Sequence, residues 1–193
     1  MPQKYERLPH EFNERTIFSD ECYGVIGRAL TFANRFESNC KALAILLKLK
    51  TDWRLDSDKC TDELSERVSK LYGKPLGIYV EIIRQVCEKN MNNSKEAGIT
   101  ELQKFFTKKL KSANKARIEL VHELTRSIED EVEDDNGRAN IIKSVETLIR
   151  EIAEVDLLVF NVIRIITKEP PYLGGSRYCE EAVKWVCEIE DTY

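Results

Sequence analysis

The sequence predicts an all-α protein, an antiparallel helical bundle of four long helices plus one or two shorter ones. Three observations predict it. Gly (8) and Pro (5) are scarce in 193 residues, leaving few turns where an all-β chain of this size needs many. Long stretches repeat apolar residues every three or four positions, which is the helical period. The charged share of 33% beside an apolar share of 42% suits long helices with one solvated face. This length fits one domain and can bury a sizeable core. Residues 1–17 are expected as an irregular N-terminal arm and 18–193 as a single helical domain.

The elements follow in order. Residues 1–16 are polar, with Pro2 and Pro9. A first helix is expected over 19–50, where Ser19 and Asp20 are N-cap candidates. Its apolar stripe is Cys22, Ile26, Ala29, Ala33, Phe36, Cys40, Leu43 and Leu47. Residues 51–58 lose that period and read as a loop. A second helix over 61–72 turns Leu64, Val68 and Leu71 inward, with Gly73 as its left-handed C-terminal residue and Pro75 opening the next. The third helix runs to about 90 through Tyr79, Ile82, Ile83, Val86 and Cys87, and 91–98 form a polar loop. A fourth starts at Thr100 with a capping box completed by Gln103 and reaches toward Glu131. Residues 129–137 form an acidic turn. The fifth helix, 138–168, is the most apolar and therefore central. Residues 169–175 break it, and a sixth helix over 176–190 carries Val183, Val186 and Ile189.

Composition excludes several classes. The net charge is −4, so no global positive field marks a DNA-packaging protein, while a local basic patch for RNA stays open. The N-terminus lacks the apolar run of a signal peptide. The most apolar stretch, residues 152–166, is interrupted by Glu154, Asp156, Asn161 and Arg164 and falls short of the about 20 residues a membrane span needs. A cytoplasmic protein without membrane insertion is expected. The six cysteines form no C-x-x-C pair and only two histidines exist, so the usual zinc spacing is missing. Reduced core thiols are the expectation, with no metal and no cofactor.

No Gly-rich phosphate loop, G-x-S-x-G or H-E-x-x-H occurs. His10 lies in the N-terminal arm and reads as a solvated surface residue; the acidic run from Glu129 to Asp135 reads as a solvated turn. His122 is the one histidine inside an expected helix, and Arg117 precedes it with four residues between. Histidine trades protons near neutral pH, and arginine grips a phosphate through two parallel hydrogen bonds. Together they suit phosphodiester cleavage. In an unbroken α-helix, however, the two point about 140° apart. Arg117 falls within the apolar stripe Leu102, Phe106, Leu110, Ala113, Leu120, Leu124 and Ile128, where it needs a partner or an interface. His122 continues the row Lys104, Lys108, Lys111 and Lys115, a local phosphate track for RNA. A catalytic motif therefore requires a break near residues 112–114, a bend at the motif, or Arg and His from different protomers.

The segment Ala116-Arg117-Ile118-Glu119-Leu120-Val121-His122-Glu123-Leu124, on a long helix of a helical domain of this size, resembles the HEPN superfamily. Its signature is an Arg, four to six residues, then a His. The resemblance implies a metal-independent endoribonuclease of toxin–antitoxin, phage-defence or RNA-processing type. It implies a homodimer that brings two motifs into one cleft, with Arg117 binding phosphate and His122 acting in acid–base catalysis on attack by the RNA 2′-hydroxyl. An antitoxin or other protein partner is implied as well. Ile118 stands where many members carry a polar residue, and Leu124 where one toxin subgroup carries Tyr. Two other readings stand beside this one. The first is a catalytically silent helical protein that binds a partner or regulates an operon. It expects Arg117 in a core ion pair and His122 exposed alone. The second is a small-ligand or nucleotide binder, expecting an enclosed apolar pocket with a few polar groups.

Overall fold

The structure, a computed structural model, describes residues 17–51, 60–93, 97–124 and 135–188. All its regular elements are helical: α1 (Ile17–Thr51), α2 (Cys60–Tyr72), α3 (Leu76–Asn93), α4 (Ala97–Ile118), α5 (Asp135–Ile166) and α6 (Gly175–Cys187). Residues Glu119–Leu124 continue α4 as a wider turn of π-helix.

Periodicity explains the packing. On α1 the positions Cys22, Val25, Ile26, Ala29, Phe32, Ala33, Phe36, Cys40, Leu43 and Ala44 are all buried, one stripe at helical spacing along its length. α5 buries Ile141, Val145, Leu148, Ile149, Ile152, Ala153 and Val159, and it packs on α1, α4 and α6. It is the central element, as its apolar content predicts. α3 packs on α1 and α4, so the four longest helices close a ring α1–α3–α4–α5, with α6 laid across α5 and α1. Burying one large aliphatic or Phe side chain such as Phe36, Ile83 or Ile149 stabilises the fold by about 1.5–3 kcal/mol.

Helix ends show where local expectations gave way to tertiary contacts. Gly73 does not adopt a left-handed conformation. The hydroxyl of the buried Tyr79 caps α2 instead, facing the carbonyls of Leu71 at 2.6 Å and Tyr72 at 2.8 Å while accepting from Lys74 N at 3.2 Å. The Lys41 ammonium sits 4.1 Å from the Tyr72 ring centre, a cation–π contact on the same joint. Of the expected polar loop at 91–98, Met91 to Asn93 instead end α3 and Ala97 and Gly98 open α4, while 94–96 lie outside the described residues. The Thr100–Gln103 capping box is not formed: α4 starts three residues earlier, and Gln103 Oε1 is buried without a partner. α5 likewise starts at Asp135, inside the expected acidic turn.

α5 ends at Ile166, and the turn after it passes through Lys168, whose φ of 63° is left-handed, just before the Pro170-Pro171 pair. The turn is tied back to α5: Asn161 Nδ2 donates to Tyr172 O at 3.0 Å, Tyr172 N donates to Asn161 Oδ1 at 2.7 Å, and Arg164 Nε donates to Pro170 O at 2.6 Å. At the far end of α6, Arg28 of α1 donates to the carbonyls of Val186 at 2.9 Å and Glu188 at 3.3 Å. Four readings lie outside the described residues: the arm at 1–16 with His10, the loop over 52–58, the acidic run at 129–134 with Ile128, and the end of the last helix at 189–190 with Ile189. Ile17 itself belongs to α1.

Among the described residues, no helix is long and apolar enough to cross a membrane, and no group of His, Cys, Asp and Glu is arranged to hold a metal. Cys22 and Cys40 are buried and Cys87, Cys179 and Cys187 half-buried, all free thiols.

Candidate functional site

α4 buries Leu110, Ala113, Ala116 and Leu120, which fixes its rotation against α3 and α5. Leu102 falls outside this stripe and is 67% exposed, correcting the expected buried face at its N-terminal end. The helix does not break at residues 112–114. It widens at Glu119–Leu124 instead, two residues past Arg117. An i→i+5 turn takes up one residue more than an α-turn, and such widenings recur at functional sites. Each residue in such a turn rotates less than in an α-helix, which narrows the angle between positions 117 and 122 relative to an unbroken helix.

Arg117 sits on the flank of the buried face. Its Nη2 donates to Glu37 Oε2 on α1 at 2.9 Å, with the two side chains 22% and 23% exposed. Its Nε is buried without an acceptor, a donor that costs about 1–3 kcal/mol left unpaired. His122 is exposed, and among the described residues no side chain hydrogen-bonds to its ring. Ile118, between them, is 42% exposed. The structure thus holds the guanidinium against α1 and presents the imidazole to solvent.

The lysines are all exposed. Lys104, Lys108 and Lys111 line one shallow groove between α3 and α4, about 280 Å³ in volume, together with Glu88 and Thr107; Lys115 lies outside its lining. Acidic groups temper this patch. Lys104 pairs with Glu101 at 3.0 Å. Glu88 is held by Arg84, which also donates to Glu81 at 2.7 Å. The Arg84 hydrogen bonds, then that from Gln85, with the Lys111 charge contributing least, hold the Glu81 carboxyl down to about 2.

Sequence reasoning missed two features. Glu37, the partner of Arg117, lies between the buried Phe36 and Cys40, and nothing in the sequence pairs it across 80 residues. The second is Asp156, which is 1% exposed and the one buried charged residue among those described. Asn39 Nδ2 donates to its Oδ1 at 2.7 Å, and the Tyr178 hydroxyl donates to its Oδ2. The network joins α1, α5 and α6. Burial, and then the Asp156 carboxylate, raise the proton affinity of Tyr178 well above the ordinary phenol. Cys40, next to Asn39 in α1, is raised for the same two reasons. A signal existed: Asp156 occupies the 149, 152, 153, 156, 159 register of the buried face of α5, where a charge needs partners.

No protein-family model, no curated protein and no solved structure matches the chain.

Proposed function

We propose that this chain is a HEPN-like, metal-independent endoribonuclease of the toxin, defence or RNA-processing type, working in the cytoplasm as a homodimer of antiparallel helical bundles. The observation that carries the reading is the widened turn at Glu119–Leu124. It overlaps the Arg117–His122 motif, and its smaller rotation per residue supports a reading in which the two side chains serve one phosphate. The exposed ring of His122 and the exposed Ile118 beside Arg117 support a cleft completed by a second protomer.

In this reading Arg117, oriented by Glu37, neutralises the scissile phosphate. A neutral His122 takes the proton of the RNA 2′-hydroxyl as its oxygen attacks phosphorus. The bond from phosphorus to the 5′ oxygen breaks, and the charged His122 of the second protomer protonates that oxygen. The products are a 2′,3′-cyclic phosphate and a 5′-hydroxyl. Lys104, Lys108, Lys111 and Lys115 track the flanking phosphates. An antitoxin or other protein partner would cover the same surface.

One observation favours the silent, partner-binding or operon-regulatory reading: the Arg117–Glu37 ion pair occupies the group that would grip phosphate, while His122 is exposed and without a partner among the described residues. A cleavage assay on mixed RNA separates the two. The ribonuclease reading expects cutting by wild type that His122→Ala abolishes with the fold intact. The silent reading expects no cutting by either, and an Arg117→Ala that only destabilises.

A further inference from the structure

Away from the motif, α1 and α6 form a groove of about 420 Å³, within the range of small-molecule sites. Its lining is mainly apolar, with Phe32 as the buried floor and Trp185 of α6, 52% exposed, as a wall. Tyr178 forms another part of the wall. Its hydroxyl is committed to the buried Asp156, so the ring is fixed. Arg35 stands on the α1 rim and is exposed. Among the described residues no carboxylate forms an ion pair with it, although Glu181 lines the same groove, because Glu181 is held by Arg177 at 2.7 Å. The groove therefore combines an aromatic, desolvating wall with one uncommitted cation.

We propose that this groove binds a small planar aromatic monoanion, an aromatic carboxylate, with its ring against Trp185 and Phe32 and its carboxylate on the Arg35 guanidinium. An aromatic ring can stack on the indole face of Trp185, and a guanidinium takes a carboxylate in two parallel hydrogen bonds. The charge count selects one negative charge. Two carboxylates already face this region, Glu181 at the rim and Asp156 beneath Tyr178, so a dianionic phosphate meets repulsion that a carboxylate largely escapes. The site is independent of the Arg117–His122 motif.

Calorimetric titration of the whole protein with 1-naphthoate, 1-naphthamide and 1-naphthyl phosphate tests this. Naphthoate is expected to bind one per chain with a dissociation constant on the order of 0.1 mM. The neutral amide is expected to bind about tenfold or more weaker, and the phosphate weaker than the carboxylate. Arg35→Gln, an exposed change, removes the preference of acid over amide; Trp185→Ala weakens both, with helicity by circular dichroism and melting temperature confirming the fold. Absence of saturable binding, equal affinity for acid and amide, or a preference that survives Arg35→Gln overturns the proposal.

Discussion

Replacing Asp156 with Ala removes the one buried carboxylate among the described residues and both acceptors it offers. Asn39 Nδ2 and the Tyr178 hydroxyl, on two different helices, then lose their partner together. Each donor left unpaired in the interior costs about 1–3 kcal/mol. Against this, removing a charge from a site that is 1% exposed returns part of its desolvation cost, so a net loss of about 2–4 kcal/mol is expected. At about 2–4 °C per kcal/mol for a chain of this size, the melting temperature falls by about 4–16 °C. Tyr178→Phe takes away one donor and leaves Asn39 in place, so it costs less. The double variant costs less than the sum, because the hydroxyl orphaned by the first change is absent after the second. Urea unfolding followed by circular dichroism gives all three values. A loss under about 0.5 kcal/mol for Asp156→Ala, or strict additivity of the pair, would refute the reasoning.

Further predictions concern charge and protonation. Changing Lys104, Lys108 and Lys111 together to Gln should weaken single-stranded RNA binding at any sequence and flatten its log–log salt dependence by about 2 units; an unchanged slope removes these lysines from the RNA surface. Stability should fall at alkaline pH. An ordinary thiol ionises near 9.0, whereas burial pushes Cys187 up to about 11 and Cys40 beyond it. Above pH 9 the unfolded chain has therefore released protons that the native chain still holds. The contribution is complete below that pH and declines as pH rises from about 9 to about 11, read as a lower urea midpoint at about pH 10.5 than at about pH 8. A flat profile contradicts the burial of these thiols.

The fold class was legible because helical periodicity is written in contiguous residues. The stripe from Cys22 to Leu43 on α1, and Ile141 to Val159 on α5, are buried as their spacing requires. Boundaries were less legible because they depend on distant partners. Gly73 looks like a helix stop, yet the Tyr79 hydroxyl seven and eight residues on does the capping. Thr100 and Gln103 have the spacing of a capping box, yet α4 continues through them to Ala97. At the motif, the sequence showed Arg117 on the buried flank and the need for a bend. It did not show the widened turn at Glu119–Leu124, which depends on the hydrogen-bond register of α4. Nor did it show Glu37, because an ion pair between α1 and α4 exists only once the helices pack.

The central claim is that Arg117 and His122 cut RNA without a metal, and the chemistry of the cut ends tests it most directly. Wild-type protein incubated with a short labelled RNA in excess EDTA should yield a 2′,3′-cyclic phosphate on one fragment and a 5′-hydroxyl on the other, and His122→Ala should yield neither. Intact RNA from wild type, ends of another kind, or the same cyclic ends from His122→Ala would contradict it.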